Sequence, residues 1–267
     1  MSTAPGLAAV EREWRRFTPA ERLARFSVYL GIVAAIVASL QSIEIIPEFL
    51  YDAPEQIGDM LRRMWPVAWD HYPEGIHAAL LDSLHIATLG RLAAVVMAVP
   101  VAFLAARNVT PVPWLNYLAK LILVSSRSVN TLIWALFFVA VFGPGALAGT
   151  MAIAFHSIGF TGKLLGEALE ESNRGTIEAL EATGAPRFAV LPQVFSRLVG
   201  FVSYETDANL RNSTMVGIVG AGGIGGTLFA AFQRFDYDFV CTIVLTIIAL
   251  IMAGEILTVR VKRIFRA

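Results

Sequence analysis

Six apolar runs divide the chain, at residues 27–47, 79–106, 114–142, 146–166, 193–230 and 238–258. About 20 helical residues cross about 30 Å of hydrocarbon, so each run is long enough to span a bilayer. The first and last runs are the cleanest. The second carries Arg91 and Pro100, the third Lys120 and Arg127, and the fifth Glu205, Asp207 and Arg211. The pattern predicts an all-α, polytopic membrane protein with five to six transmembrane helices, six being favoured. Gly143-Pro144-Gly145 marks a turn between two of them. Ahead of the first run, residues 11–25 hold five arginines and three glutamates, with no small-residue cleavage site after them. Residues 1–26 therefore read as a cytoplasmic amphipathic segment rather than a signal peptide, and residues 27–267 as one transmembrane domain.

Composition agrees with the pattern. Hydrophobic residues make up 56% and charged residues 16% of the 267 positions, where a soluble domain carries about 25% charged. Mean hydropathy is +0.64. So much apolar surface needs lipid. The net charge of zero gives no electrostatic case for nucleic acid. One cysteine, Cys241, lies within an apolar run and excludes a disulfide framework inside one chain. His71, His77, His85 and His156 show no metal-ligand spacing, so neither a metal nor a cofactor is expected.

The uneven spread of charge orients the spans. Arg12, Arg15, Arg16, Arg22 and Arg25 precede the first run, and Arg260, Lys262, Arg263 and Arg266 follow the last. The loop at 162–192 adds Lys163, Arg174 and Arg187. The loop at 48–78 sets only Arg62 and Arg63 against Glu48, Asp52, Glu55, Asp59, Asp70 and Glu74. Excess Lys and Arg mark the cytoplasmic side. Both termini and loop 162–192 are thus expected in the cytoplasm, which an even number of spans satisfies. Loop 48–78 then faces outward and, with Trp65 and Trp69, is expected to lie along the interface as a short helix.

Charges within spans cost at least a few kcal/mol each and normally face a bundle interior or a water-filled path. Arg91, Glu205 and Asp207 are candidates for intramembrane ion pairs, Glu205 or Asp207 with Arg211. Arg127, Asn130, Asn209, Arg211, Asn212, Ser213 and Thr214 are candidates for a polar translocation path. Its arginines would suit an anion with several oxygens. Snorkelling and internal pairing account for the same charges without a path, and the two readings are compatible.

Residues 217–226 read Gly-Ile-Val-Gly-Ala-Gly-Gly-Ile-Gly-Gly. Gly220, Gly222 and Gly225 match the G-x-G-x-x-G spacing of a dinucleotide fold, with Asp236 and Asp238 downstream. That fold also requires a soluble βαβ unit with the acid after a second strand, whereas here the acids precede the last apolar span. Gly220, Gly222, Gly223 and Gly225 are better read as breaking a membrane helix, whose freed backbone groups can line a cavity.

Loop 162–192 contains Glu178-Ala-Leu-Glu-Ala-Thr-Gly184-Ala-Pro-Arg-Phe-Ala-Val-Leu191-Pro192. Residues 178–182 favour a helix, Gly184 can end it, and Pro192 can open the next span. This segment resembles the "EAA" coupling motif of ABC-importer permeases, with Glu178, Ala179, Gly184, Leu191 and Pro192 at its positions. More narrowly, the chain from about residue 48 onward resembles the PhnE-type permeases of phosphonate importers. The resemblance is carried by 105–110 (AARNVT), 130–136 (NTLIWAL), 159–164 (GFTGKL), 178–185 (EALEATGA) and above all 210–225 (LRNSTMVGIVGAGGIG), followed by Phe235-Asp-Tyr237. The connector from Gly184 to Pro192 is shorter than the family pattern.

The resemblance implies a type I importer permease in a bacterial inner membrane. It would pair with a second copy of itself, with two cytoplasmic ATPase subunits and with an extracytoplasmic substrate-binding protein. Glu178, Ala179, Glu181, Gly184 and Ala185 would couple it to the ATPase. The cargo would be phosphonate or a related phosphorus oxyanion, inorganic phosphate and phosphite being the close alternatives. The chain has no GxxxxGK[ST] sequence, so ATP hydrolysis would belong to the partner, and no enzymatic role is expected. A membrane enzyme acting on a phosphorylated lipid is a distant alternative, since Glu205 and Asp207 stand two apart on different helix faces. A channel or passive structural protein is another, but would have no use for an exposed coupling helix.

Overall fold

The structure, a computed structural model, describes residues 17–43, 46–110, 112–172 and 191–265, with Gly175 and Ala182. The chain divides into two compact units, residues 1–58 and 59–267.

In the first unit, α1 (Pro19–Ser42) opens on a capping box. The Glu21 amide donates to Thr18 Oγ1 at 3.4 Å, and the Thr18 amide donates to Glu21 Oε2 at 2.9 Å. Pro19 fits the first helical position, where no amide partner is needed. The helix therefore begins eight residues before the apolar run at 27. That boundary marks where lipid-facing side chains start, not where the helix starts. α2 (Pro47–Arg63) begins in this unit and continues past Gly58. It gathers Leu50, Ala53, Ile57 and Leu61 on one face and Glu48, Asp52, Glu55 and Asp59 on the other, as a helix lying on a membrane surface does. Trp65 and Trp69 fall beyond its end and are exposed. A 3-10 turn (Trp69–His71) and a π turn (Tyr72–Ile76) complete the expected 48–78 loop.

The second unit is a helical bundle of α3 (His77–Ala105), α4 (Pro113–Ser128), α5 (Thr131–Phe142), α6 (Ala146–Glu170), α7 (Leu191–Val216), α8 (Ile224–Gln233) and α9 (Tyr237–Phe265). Three described helices, α1, α3 and α9, are each long and apolar enough to cross a membrane. Two bent pairs, α4–α5 at 96° and α7–α8 at 46°, bring the number to five. The runs expected as single spans at 114–142 and 193–230 are thus each broken in two. α6 is the remaining expected span. It packs against α3, α4, α5 and α7, and 14 of its 25 residues are buried. Its composition answers to neighbouring helices rather than to lipid. The helix also runs on to Glu170, so Lys163, expected in a loop, lies on it.

The α3–α6 seam is made of small residues. Ala94, Ala98 and Ala102 are fully buried at four-residue spacing on α3. Gly90 lies against Ile153 and Gly166 against the Ala102 carbonyl, while Gly162 meets the Ala98 carbonyl and, more tightly, the Leu123 side chain of α4. Lipid tails are as apolar as any side chain, so membrane helices gain by packing closely, and small residues allow that.

The break in α7–α8 follows the glycine-rich stretch. Gly220, Gly222 and Gly223 all have positive φ, 83°, 78° and 85°, a region most side chains avoid. Gly225 is different. It lies inside α8 with an ordinary backbone, and it is small because the Thr214 carbonyl passes directly against it.

The break in α4–α5 has no glycine. Asn130 stands in extended conformation and caps α5, its Oδ1 accepting from the Leu132 amide at 2.9 Å. The carbonyls left without helical partners find side chains. Trp134 Nε1 donates to the Ser126 carbonyl at 3.1 Å, and His156 Nδ1 lies 3.1 Å from the Val129 carbonyl. The Ser126 hydroxyl in turn donates to the Phe155 carbonyl. Bare backbone groups are too costly in hydrocarbon, and here three side chains satisfy them.

Candidate functional site

A polar layer crosses the bundle between two apolar clusters. On one side lie Ala102, Phe103, Leu165, Leu169 and Leu198, and on the other Ile86, Phe138, Ile153 and Val216. Between them, Arg91 of α3 is 4% exposed, Glu205 of α7 5%, and Asn209, Ser157 and Thr161 are fully buried. Arg91 Nη1 donates to Thr161 Oγ1 at 2.7 Å, and Ser157 Oγ donates to Asn209 Oδ1 at 3.0 Å. Arg91 and Glu205 interact electrostatically, although no ion pair within 4.0 Å joins them. Arg91 Nε and Nη2, Glu205 Oε2 and Asn209 Nδ2 have no further hydrogen-bond partner among the described residues. The layer ties three helices together through charge and leaves part of its bonding capacity unspent.

Two faces of α7 do different work. Glu205, Asn209 and Ser213 succeed one another at four-residue spacing on the buried face. Asp207 and Arg211 stand on the other, where Arg211 Nη2 donates to Asp207 Oδ2 at 2.6 Å. The Arg211 side chain is 54% exposed. Of the three residues expected in intramembrane ion pairs, Arg91 and Glu205 share a layer, while Asp207 belongs to Arg211 and lies outside that layer.

Among the candidates for a polar path, several side chains are already committed locally. The Ser213 hydroxyl donates to the Leu210 carbonyl at 2.8 Å and the Thr214 hydroxyl to the Arg211 carbonyl at 2.7 Å. Asn130 caps α5, and Asn209 is in the buried layer. Asn212 is half-buried and Arg127 exposed. Arg127 joins Lys120, Lys163, Glu167 and Glu170 around a cleft of about 240 Å³ between α4 and α6. Lys120 Nζ is 3.4 Å from Glu170 and Lys163 Nζ 3.3 Å from Glu167. Sequence reasoning registered Lys120 and Lys163 only as charges in a run and a loop. Their convergence depends on how two helices pack, which spacing along the chain does not carry. The coupling residues Glu178, Ala179, Glu181, Gly184 and Ala185 lie outside the described residues. No group of three or more potential metal ligands occurs among the described residues.

Residues 98–267 match the family described as the binding-protein-dependent transport system inner membrane component. The chain belongs to this family. It is accordingly a multi-pass protein of the membrane. Within the curated relatives of this family member, the phosphate-import permease protein PhnE of Mycolicibacterium smegmatis is 37% identical over 86% of this chain and 44% of its own length. The phosphite transport system permease protein PtxC of Stutzerimonas stutzeri is 40% identical over 64% of each chain. The chain thus spans less than two thirds of either relative. Among solved structures, a chain of the MetNI methionine ABC transporter in inward-facing conformation superposes with a TM-score of 0.62. It covers 71% of this chain and 95% of its own length at 22% identity. At that identity the likeness concerns the fold, which is that of a type I ABC-importer permease.

Proposed function

We propose that this chain is the membrane subunit of an ABC importer that moves a phosphorus oxyanion into the cytoplasm. Phosphonate is the first candidate, with inorganic phosphate and phosphite as close alternatives. The observation that carries the reading is the half-exposed Arg211 on a broken span, in a chain whose relatives are named for phosphate import and phosphite transport. A guanidinium offers a planar fork of donors to a tetrahedral oxyanion, and an arginine held at membrane depth needs a wet path or a partner chain beside it. Arg127, Asn130, Asn209, Asn212, Ser213 and Thr214 complete the proposed path, the last two with Asn130 and Asn209 as its scaffold rather than its donors.

A second copy of the chain would face the first across that path, and an extracytoplasmic binding protein would deliver the anion. Two ATPase subunits would dock on Glu178, Ala179, Glu181, Gly184 and Ala185, between α6 and α7. Their closure would move both helices as rigid levers. Both termini would lie in the cytoplasm of a bacterial cell, and hydrolysis would take place on the ATPase subunits alone.

The test is ATP-dependent uptake of labelled methylphosphonate, phosphite and phosphate by vesicles holding the chain with its ATPase and binding protein. Uptake of one of them, abolished by Glu178→Arg, is the expected result. A fully assembled complex that moves none of the three overturns the reading. Arg211→Gln should lower uptake by about tenfold or more, the worth of one charge-assisted contact. The complex should still assemble, because the only ion-pair partner of Arg211 among the described residues is Asp207, one turn away on the same helix. Unchanged uptake would remove Arg211 from the path.

A further inference from the structure

We infer that the cleft between α4 and α6 is an inner station for the transported oxyanion, built by Arg127, Lys163 and Lys120. The inference rests on the importer reading above and adds two residues to it. The three cations are graded in depth. Lys120 meets Glu170 at the C-terminal end of α6. The Lys163 ammonium rests on Glu167, three residues further in along α6, about 4.5 Å at 1.5 Å per residue. The backbone of Arg127 packs against Gly159, deeper still, and its side chain reaches back into the cleft.

A phosphate group on a lipid would offer the same chemistry as a free phosphorus oxyanion. A headgroup, however, sits at one depth and would collect its cations there. A ladder suits an ion in passage, which must be held well enough to enter and loosely enough to leave. The pairing pattern fits this. Each lysine rests on one glutamate in a pair about 36–51% exposed, and exposed pairs are worth only about 0–1 kcal/mol. An arriving oxyanion can take the lysine from its carboxylate and give it back on departure. Arg127 forms no ion pair among the described residues and is the first to receive the anion. The ladder ends at Glu170, the last residue of α6, and the coupling motif follows in the sequence at 178–185.

Two measurements on the assembled transporter test the station. In nanodiscs of phosphatidylcholine alone, acylation of Lys163 and Lys120 is followed by mass spectrometry. Millimolar methylphosphonate or inorganic phosphate should slow it several-fold, and equal chloride should not. Protection that appears only when phosphatidylglycerol is added, or no protection at all, overturns the inference. In uptake, Lys163→Gln should lower the transport rate while ATP hydrolysis and binding-protein docking persist, and Lys163→Arg should restore it. Wild-type uptake that Lys163→Gln leaves unchanged overturns the station alone. Absence of wild-type uptake of every anion overturns the importer reading and the station with it.

Discussion

Replacing Arg91 by leucine is expected to cost about 3–5 kcal/mol, because it strands the Glu205 carboxylate between two apolar clusters. Glu205→Leu should cost a similar amount by stranding the guanidinium. The double variant should recover most of the loss, since two apolar side chains of fitting volume replace a buried charge couple without penalty. Melting temperatures of the four proteins in one detergent give the cycle directly. Additive losses in the double variant would mean that Arg91 and Glu205 act separately, Arg91 through Thr161 and Glu205 through Ser157. The absence of a direct contact between the two charges makes the outcome informative. Coupling across the gap would have to be electrostatic, in a region where low polarity lengthens the reach of a charge.

Gly225→Val should be the most damaging glycine substitution. A side chain there runs into the Thr214 carbonyl, which belongs to helical backbone and has nowhere to go. Overpacking of this kind costs about 1–3 kcal/mol or more. The loss would appear as a lower melting temperature and less monodisperse protein after solubilisation. Gly31→Ala on α1 is the control, since a methyl group there meets nothing within 4 Å. A Gly225→Val protein as stable as that control would show that α7 and α8 separate readily at their break.

These two sites show how unevenly the fold could be read from the sequence. Both edges of α3 and the start of α9 follow from length and hydropathy, whereas α9 runs on seven residues past its apolar run to Phe265; the break after α7 follows from its glycines. The break after α4 does not, because residues 128–131 (Ser-Val-Asn-Thr) contain neither glycine nor proline. The available signal was a capping one, an Asn ahead of an apolar run. The same class of signal, Thr18-Pro19-Ala-Glu21, announced the true start of α1, while hydropathy pointed eight residues later. The polar path candidates were chosen by type. What separates Asn209 from Arg211 is the helical face each occupies, and that becomes visible once buried neighbours at four-residue spacing are known. Thr161 and Ser157 were missed because small hydroxyl residues among apolar ones carry no mark of the charges they serve.

The composition of α6 bears on how the protein reaches its membrane. A segment with four glycines, two threonines, Ser157, His156 and Lys163 among 25 residues is a poor substrate for lateral release into lipid by itself. Its preceding neighbour α5 is strongly apolar, and the Gly143–Gly145 turn joins them closely. During biogenesis the two are expected to partition together as a hairpin, with α3 already in the bilayer to receive the narrow surface of α6; α6 inserted alone ahead of α3 should integrate poorly in an insertion assay. The order of synthesis, α3 before α5 and α6, supplies that receiving surface in time.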